Sequence, residues 1–266
     1  MGRIPVLCDL DGVVWLAHEP IPGSVEAIGA LRRAGHRVVF VTNNSFSTVA
    51  EQEAALASIG VPARSDVITS AMAGASLVVE GESVLVCGGP GVVEAVGSVG
   101  ARVVGHDEYE RDDPLVDAVM VGFHRNFDYE IMRRAARAVR AGARLIGTND
   151  DATYPTPAGP IPGGGSILAA IATASGVAPV VAGKPHAPMA TIVRRLVSGV
   201  DVDAVMVGDR PSTDGLFART LGCRYALVRS GVTAPGATTD SAGGLRVDID
   251  VADLADVARS LGVSVP

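Results

Sequence analysis

The sequence holds one lysine. Of its 22 basic residues, 21 are arginine and the remaining one is Lys184. Arginine is a planar fork and lysine a compact point charge, and a site that needs the point charge would keep lysine when nothing else does. Cysteine is scarce as well. Cys8, Cys87 and Cys223 are far apart, odd in number, and each lies in or beside an apolar run. That excludes a disulfide framework or a zinc site and reads as core thiols in a reducing compartment. No apolar run approaches the roughly 20 residues that span a bilayer, and the N-terminus lacks a basic, apolar and cleavage-site pattern. The expectation is a soluble cytoplasmic protein. There is no basic patch: the net charge is −7, with acids and bases scattered, which argues against a nucleic-acid surface. It leaves open a small anionic substrate, which needs only local positive charge.

What is present is a large apolar fraction, 48% of 266 residues. That suffices for a sizeable core in one large domain or two modest ones. The chain has no internal repeat and no low-complexity segment.

The stretch from Val6 to Val14 organises the rest. An apolar run from Ile4 to Cys8 delivers Asp9 and Asp11, and Gly12 follows at once. This reads as a buried strand ending in a sharp turn. In open parallel sheets ligands bind beyond the carboxyl ends of the strands. Two carboxylates there repel each other, and a divalent cation or a shared proton relieves the repulsion. Alone, the motif reads equally well as a polar turn closing a core strand.

The pattern continues as alternating strands and helices. Ser24 is read as an N-cap for a helix over Val25, Ile28 and Leu31, which Gly35 stops. A strand over Arg37–Val41 ends in Thr42-Asn43-Asn44-Ser45. A helix over 47–59, a strand at 67–69 and a helix over 71–79 complete a β-α-β-α-β-α series, the signature of a doubly wound parallel sheet. From about residue 80 a second α/β block begins, with strands at 83–87, 102–104, 118–122 and 144–148. It has helices at 92–99, 128–141 and 167–175, and a Pro- and Gly-rich loop from Asn149 to Gly165. At about 100 residues it has the size of a separate domain. The final block has strands at 204–207, 224–228 and 247–249 and helices at 187–197, 215–221 and 252–261. The stretch 233–244 reads as a mobile loop.

Four polar clusters fall at strand ends or just before a helix: Asp9/Asp11, Thr42/Asn43, Lys184 and Asp209/Asp214. A nucleophilic carboxylate, a second carboxylate, a hydroxyl, a cation and a further acidic pair suit phosphoryl transfer, where charge must be neutralised and oxygens held. Oxygen ligands from Asp9 and Asp209 point to magnesium.

Asp-Leu-Asp-Gly-Val, Val-Thr-Asn-Asn, Gly-Lys-Pro and Val-Gly-Asp-Arg-Pro-Ser-Thr-Asp, in that order, resemble the haloacid dehalogenase (HAD) superfamily of phosphatases. Trp15, the Val-Thr-Asn-Asn-Ser run, Thr148-Asn149-Asp150-Asp151 and Pro162-Gly163-Gly164-Gly165 resemble its p-nitrophenyl phosphatase and NagD-like branch. The resemblance covers nearly the whole chain. It implies a Rossmann-like HAD core over 1–80 and 181–266, and an inserted α/β cap of the C2 type over 81–180 that governs substrate specificity. It further implies a magnesium-dependent phosphatase acting on a small soluble phosphate monoester through an aspartyl-phosphate. Glycerol phosphate, phosphoglycolate, nucleotide monophosphates and, in vitro, p-nitrophenyl phosphate are the candidate substrates.

By that resemblance Asp9 is the nucleophile and Asp11 the general acid and base. Magnesium is held by the Asp9 carboxylate, the Asp11 backbone carbonyl and Asp209. Thr42 and the Asn43 amide bind phosphoryl oxygens, and Lys184 neutralises them together with Asp9. Asp214 orients a metal-bound water or Lys184. A homodimer through the cap is compatible with the branch.

For Trp15, lining a pocket mouth and simple packing stand level. His124, Arg125, Asn149 and Asp150 follow strands of the middle block; each alone reads as a solvated loop residue, and as a group they include contacts to the leaving group. His186 reads as a helix-start residue. The glycines at 163–165 do not form a dinucleotide site. Three competing readings weigh less. A phospho-accepting signalling module does not need Asp11 or the acidic pair after Lys184, and the chain is about twice too long for one such domain. Hydrolytic dehalogenases of the superfamily lack the second aspartate. A catalytically weak scaffold has no reason to keep the full set.

Overall fold

The computed structural model describes residues 3–16, 18–105, 115–154, 156, 158–233 and 244–266. Most of the stretch 233–244, read above as mobile, lies outside the described residues. The chain divides into two compact units. The first comprises residues 1–42, 50–68 and 184–266, and the second 43–49 and 69–183.

The first unit is built on a six-stranded sheet. Its order is Ile249–Val251, Arg224–Val228, Val205–Gly208, Pro5–Cys8, Arg37–Thr42 and Val67–Thr69. The pairings from Ile249–Val251 across to Arg37–Thr42 are all parallel. Pro5–Cys8 and Val205–Gly208 are buried throughout. That is why both read as unbroken apolar runs: a parallel sheet is covered on both faces. The chain winds outward from Pro5–Cys8 first to one side and then to the other. The turn in strand order therefore falls beside Pro5–Cys8, the point at which such sheets bind ligands. Helix Ser24–Arg33 buries Ala27, Ile28 and Leu31, and the helix Leu254–Ser260 packs against it.

The second unit has a five-stranded sheet in the order Val180–Val181, Arg144–Gly147, Ala118–Val121, Ser83–Cys87 and Arg102–Gly105, again parallel. Period-2 alternation divides its side chains. Leu85, Cys87, Val119, Val121 and Leu145 join Ile131, Val139, Leu168 and Ile171 in one core. Val84, Val86, Ala118, Met120 and Ile146 join Ala71, Val92 and Val96 in the other. Helices Tyr129–Arg140 and Gly164–Ser175 thus cover one face, and Ser70–Ala75 and Pro90–Ser98 the opposite face.

Three local expectations change. Ser24 is not the N-cap: Gly23, in the left-handed region at φ +81°, takes that position. The Ser24 hydroxyl instead donates to the Val14 carbonyl at 2.8 Å, ten residues back on the turn that follows Asp11. The helix expected over 71–79 spans only Ser70–Ala75. The Asn149–Gly165 loop contains a short antiparallel hairpin, Thr153–Tyr154 with Ile161–Pro162. Among the described residues no helix is long and apolar enough to cross a membrane.

Candidate active site

Register brings the candidate residues of the first unit to one edge. Cys8 stands opposite both Val207 and Phe40, so Asp9, Asp209 and Thr42 all emerge at the carboxyl ends of adjacent strands. The Asp9 amide still donates to the Val207 carbonyl at 2.9 Å. Past Leu10 the chain folds back sharply. Gly12 adopts φ +85°, which glycine accepts without strain. Its amide donates to the Trp15 carbonyl at 2.8 Å, and the Trp15 amide to the Leu10 carbonyl at 3.2 Å. The space a Gly12 side chain would fill holds the Asp209 carboxylate.

Lys184 is the centre of the cluster. Its Nζ lies 2.9 Å from Asp9 Oδ1 and 2.7 Å from Asp214 Oδ1. Lys184 and Asp214 are sealed from solvent, whereas the Asp9 side chain keeps 16% of its surface. The wide π-helical turn Pro211–Gly215 carries Asp214 back over the strand end, an irregularity frequent at functional sites. There Asp214 Oδ2 accepts from the Arg210 amide at 3.2 Å. Asp214 packs onto Gly208, where any Cβ would overlap it. Beneath, the buried Tyr225 hydroxyl donates to the Gly208 carbonyl at 3.3 Å.

The electrostatics follow from burial and crowding. Burial works against the Lys184 ammonium, but Asp214 and Asp9 outweigh it and hold it protonated above the ordinary lysine range. Burial, with the charges of Asp9 and Asp209, pushes Asp11 up to about 7, opposed by a hydrogen bond from Trp15. Burial and Asp9 likewise push Asp209 up to about 6. Burial raises Asp214 too, against the pull of Lys184.

Carboxylate oxygens of Asp9, Asp209 and Asp214 lie within 4.8 Å of one another. Asp214 is committed on both oxygens, to Lys184 and to the Arg210 amide. Among the described residues of this cluster, the side chains able to hold a cation are therefore Asp9 and Asp209. An all-oxygen, acidic donor set fits magnesium. The crowding that raises Asp209 is the repulsion a divalent ion relieves.

The other residues singled out in the sequence fall as follows. Thr42 is buried at the end of its strand. Trp15 is buried, its indole hydrogen-bonded to Asp11 and its ring centroid 4.8 Å from that of His18. His186 occupies the cap position of helix Ala187–Leu196 without a side-chain cap bond.

In the second unit, the Asn43 carbonyl accepts from Ser70 Oγ at 2.7 Å and Asn149 Nδ2 at 2.8 Å. Asn43 Nδ2 donates to Asp151 Oδ2 at 2.9 Å. Asn149 is therefore a buried clasp and not a solvated loop residue; its Oδ1 also accepts from the Asp151 amide at 3.2 Å. Arg125 is exposed, with its guanidinium 5.3 Å over the Phe46 ring. His124 Nδ1 accepts from the Asn126 amide at 3.1 Å, and Asp150 is exposed.

Sequence reasoning missed Gly208, Tyr225, Ser230 and Gly231. The strand-end rule that found Asp209 applies equally to the residues after Val228 and would have found the last two.

A model of the family described as haloacid dehalogenase-like hydrolase matches residues 6–102, and a second HAD-like model matches 181–257. The chain is 38% identical to the D-glycerol 3-phosphate phosphatase of Mycobacterium tuberculosis over 86% of its own length, and spans 64% of the length of that relative. It is 34% identical to the 5'-nucleotidase YutF of Bacillus subtilis, over 88% of this chain and 90% of the relative. Among solved structures, the glycerol phosphate phosphatase of Mycobacterium tuberculosis in complex with magnesium superposes with a TM-score of 0.84. That match is 35% identical and covers 96% of this chain and 76% of the other.

Proposed function

The chain belongs to the haloacid dehalogenase-like hydrolases and is a magnesium-dependent phosphoric monoester hydrolase, and from that premise we propose that Asp9 carries the reaction on a small soluble phosphate ester. The observation that carries this reading is the placement of Lys184 between Asp9 and Asp214, with Asp209 in the same oxygen cluster.

Asp9 attacks phosphorus through a carboxylate oxygen. The phosphorus–oxygen bond to the leaving group breaks as the aspartyl-phosphate forms, a case of covalent catalysis by a carboxylate. Asp11 gives its proton to the departing oxygen. In the second half Asp11 takes a proton from water, which attacks phosphorus, frees Asp9 and releases phosphate. The Lys184 ammonium offsets the charge of the phosphoryl group, and the Thr42 hydroxyl and the Asn43 amide hold its oxygens. Asp214 keeps Lys184 in place. Asp9, the Asp11 carbonyl and Asp209 would hold the magnesium ion, which when bound supplies charge neutralisation at the phosphoryl oxygens.

The choice of leaving group we assign to the block 81–180. His124, Arg125, Asn149 and Asp150, which follow strands of that block, are the residues we assign to it. Glycerol phosphate, phosphoglycolate and nucleoside monophosphates are the substrate classes under this reading. A cytoplasmic location and a homodimer through this block belong to the same proposal.

The test is phosphate release from those esters and from p-nitrophenyl phosphate, each with magnesium and with EDTA, by wild type and Asp9→Asn. Magnesium-dependent release that Asp9→Asn abolishes is expected. Undiminished release by Asp9→Asn refutes the nucleophile, and none by wild type refutes the reading.

A further inference from the structure

The loop after strand Arg224–Val228 has no part in the chemistry above, yet it enters the acidic cluster at three points. The Val232 amide donates to Asp209 Oδ2 at 2.6 Å. The Ser230 hydroxyl donates to the Gly12 carbonyl at 2.7 Å. Between them, a Cβ on Gly231 would overlap the Asp209 carboxylate, and a Cβ on Gly12 would overlap the same carboxylate and come within 3.0 Å of Gly231 Cα. The side chains of residues 12 and 231 are thus missing from the same small volume, and Asp209 fills it.

These contacts divide the oxygens of Asp209. Oδ2 is held by a backbone amide, in a short charge-assisted bond. Oδ1 carries no hydrogen bond among the described residues. Ser230 acts in parallel on the other side, since the carbonyl it holds belongs to the residue after Asp11 in a turn already fixed by Gly12. One three-residue segment thereby contacts both Asp209 and the Asp11–Gly12 turn, which come from adjacent strands.

We propose that Ser230 and the Val232 amide form a clasp that aims Asp209 Oδ1 and the Asp11–Gly12 turn at the metal position, with Ser230 as a positioning residue. This rests on the magnesium reading above. Magnesium accepts little deviation from octahedral geometry, so a clasp on two of its donors has leverage. Partners that orient metal ligands are typically worth about 10–100-fold in affinity or activity.

The test is calorimetric titration of the full chain with magnesium alone, for wild type, Ser230→Ala, Ser230→Thr and Val232→Pro, together with kcat and KM on p-nitrophenyl phosphate. Val232 is exposed, so Val232→Pro removes the amide donor without disturbing a core. Expected is magnesium affinity weaker by about 10-fold or more in Ser230→Ala and Val232→Pro. The loss should fall on kcat at limiting magnesium and leave KM near wild type. Ser230→Thr, which keeps the hydroxyl, restores affinity. Wild-type affinity in both Ser230→Ala and Val232→Pro overturns the proposal and leaves the magnesium reading standing. Equal loss in Ser230→Ala and Ser230→Thr overturns the role of the hydroxyl. A wild-type chain that binds no magnesium overturns the metal reading and the clasp with it.

Discussion

Lys184 Nζ and Asp214 Oδ1 lie 2.7 Å apart, with side chains 1% and 0% exposed. Removing one partner of such a pair leaves a buried charge without compensation, at a cost of about 3–5 kcal/mol. Lys184→Met should therefore lower unfolding free energy by about that amount in urea titrations, besides losing phosphatase activity. Lys184→Arg keeps the charge, but its planar fork does not fit a position shaped for one ammonium between two carboxylates. We expect a folded protein whose kcat falls by at least about 100-fold. A wild-type rate in Lys184→Arg would reduce the single lysine to an accident of composition.

Gly208 is the floor on which Asp214 rests. Its φ is unremarkable, so glycine is required here for space and not for backbone freedom: a Cβ would overlap Asp214 Cβ, Cγ and Oδ2. These atoms are pinned by Lys184 and the Arg210 amide and have nowhere to retreat. Gly208→Ala should destabilise by about 1–3 kcal/mol, as for an overpacked core, and should lower kcat by displacing Lys184. A variant with wild-type unfolding midpoint and kcat would show that Asp214 can move freely.

Much of this site is legible in the amino-acid order because its side chains sit at strand ends. Asp9, Asp11, Thr42 and Asp209 each follow an apolar run, and Lys184 stands out by composition. What was not legible depends on partners distant in sequence. Ser24 has the composition of an N-cap, yet its hydroxyl is taken by Val14. Asn149 resembles a loop residue, and only the folded chain brings it to the Asn43 carbonyl. Gly208, Gly231 and the Val232 amide act through missing side chains or through backbone, neither of which leaves a polar signature. Two-residue strands such as Thr153–Tyr154 are too short to show alternation.

Trp15 tunes Asp11. Its hydrogen bond lowers the Asp11 pKa against burial and the charges of Asp9 and Asp209. Trp15→Phe removes the donor and keeps most of the ring, so Asp11 should hold its proton to higher pH. In the proposed mechanism protonated Asp11 serves the leaving group, so the basic limb of the kcat profile should move upward in pH. A limb that stays in place or moves downward contradicts the contact.

The acidic cluster makes the stability of the metal-free chain depend on pH with a definite sign. Asp209 and Asp11 have folded pKa values of about 6 and about 7, raised from 3.8. The folded state then binds more protons than the unfolded one between those limits. By linkage, stability falls as pH rises through that window. Below pH 3.8 the burial of these groups carries no charge penalty, and above about 7 the penalty is complete. In EDTA the contribution of the cluster should therefore lower Tm as pH rises from 5 to 8. The proposed magnesium site uses ionised carboxylates, so the Tm increment the ion gives should be larger at pH 8 than at pH 5. Asp209→Asn removes one titrating group and one proposed ligand at once. It should flatten the EDTA profile and shrink the magnesium increment together. Differential scanning calorimetry at the two pH values decides the matter. An equal magnesium increment at both would mean that these carboxylates are not what the ion meets.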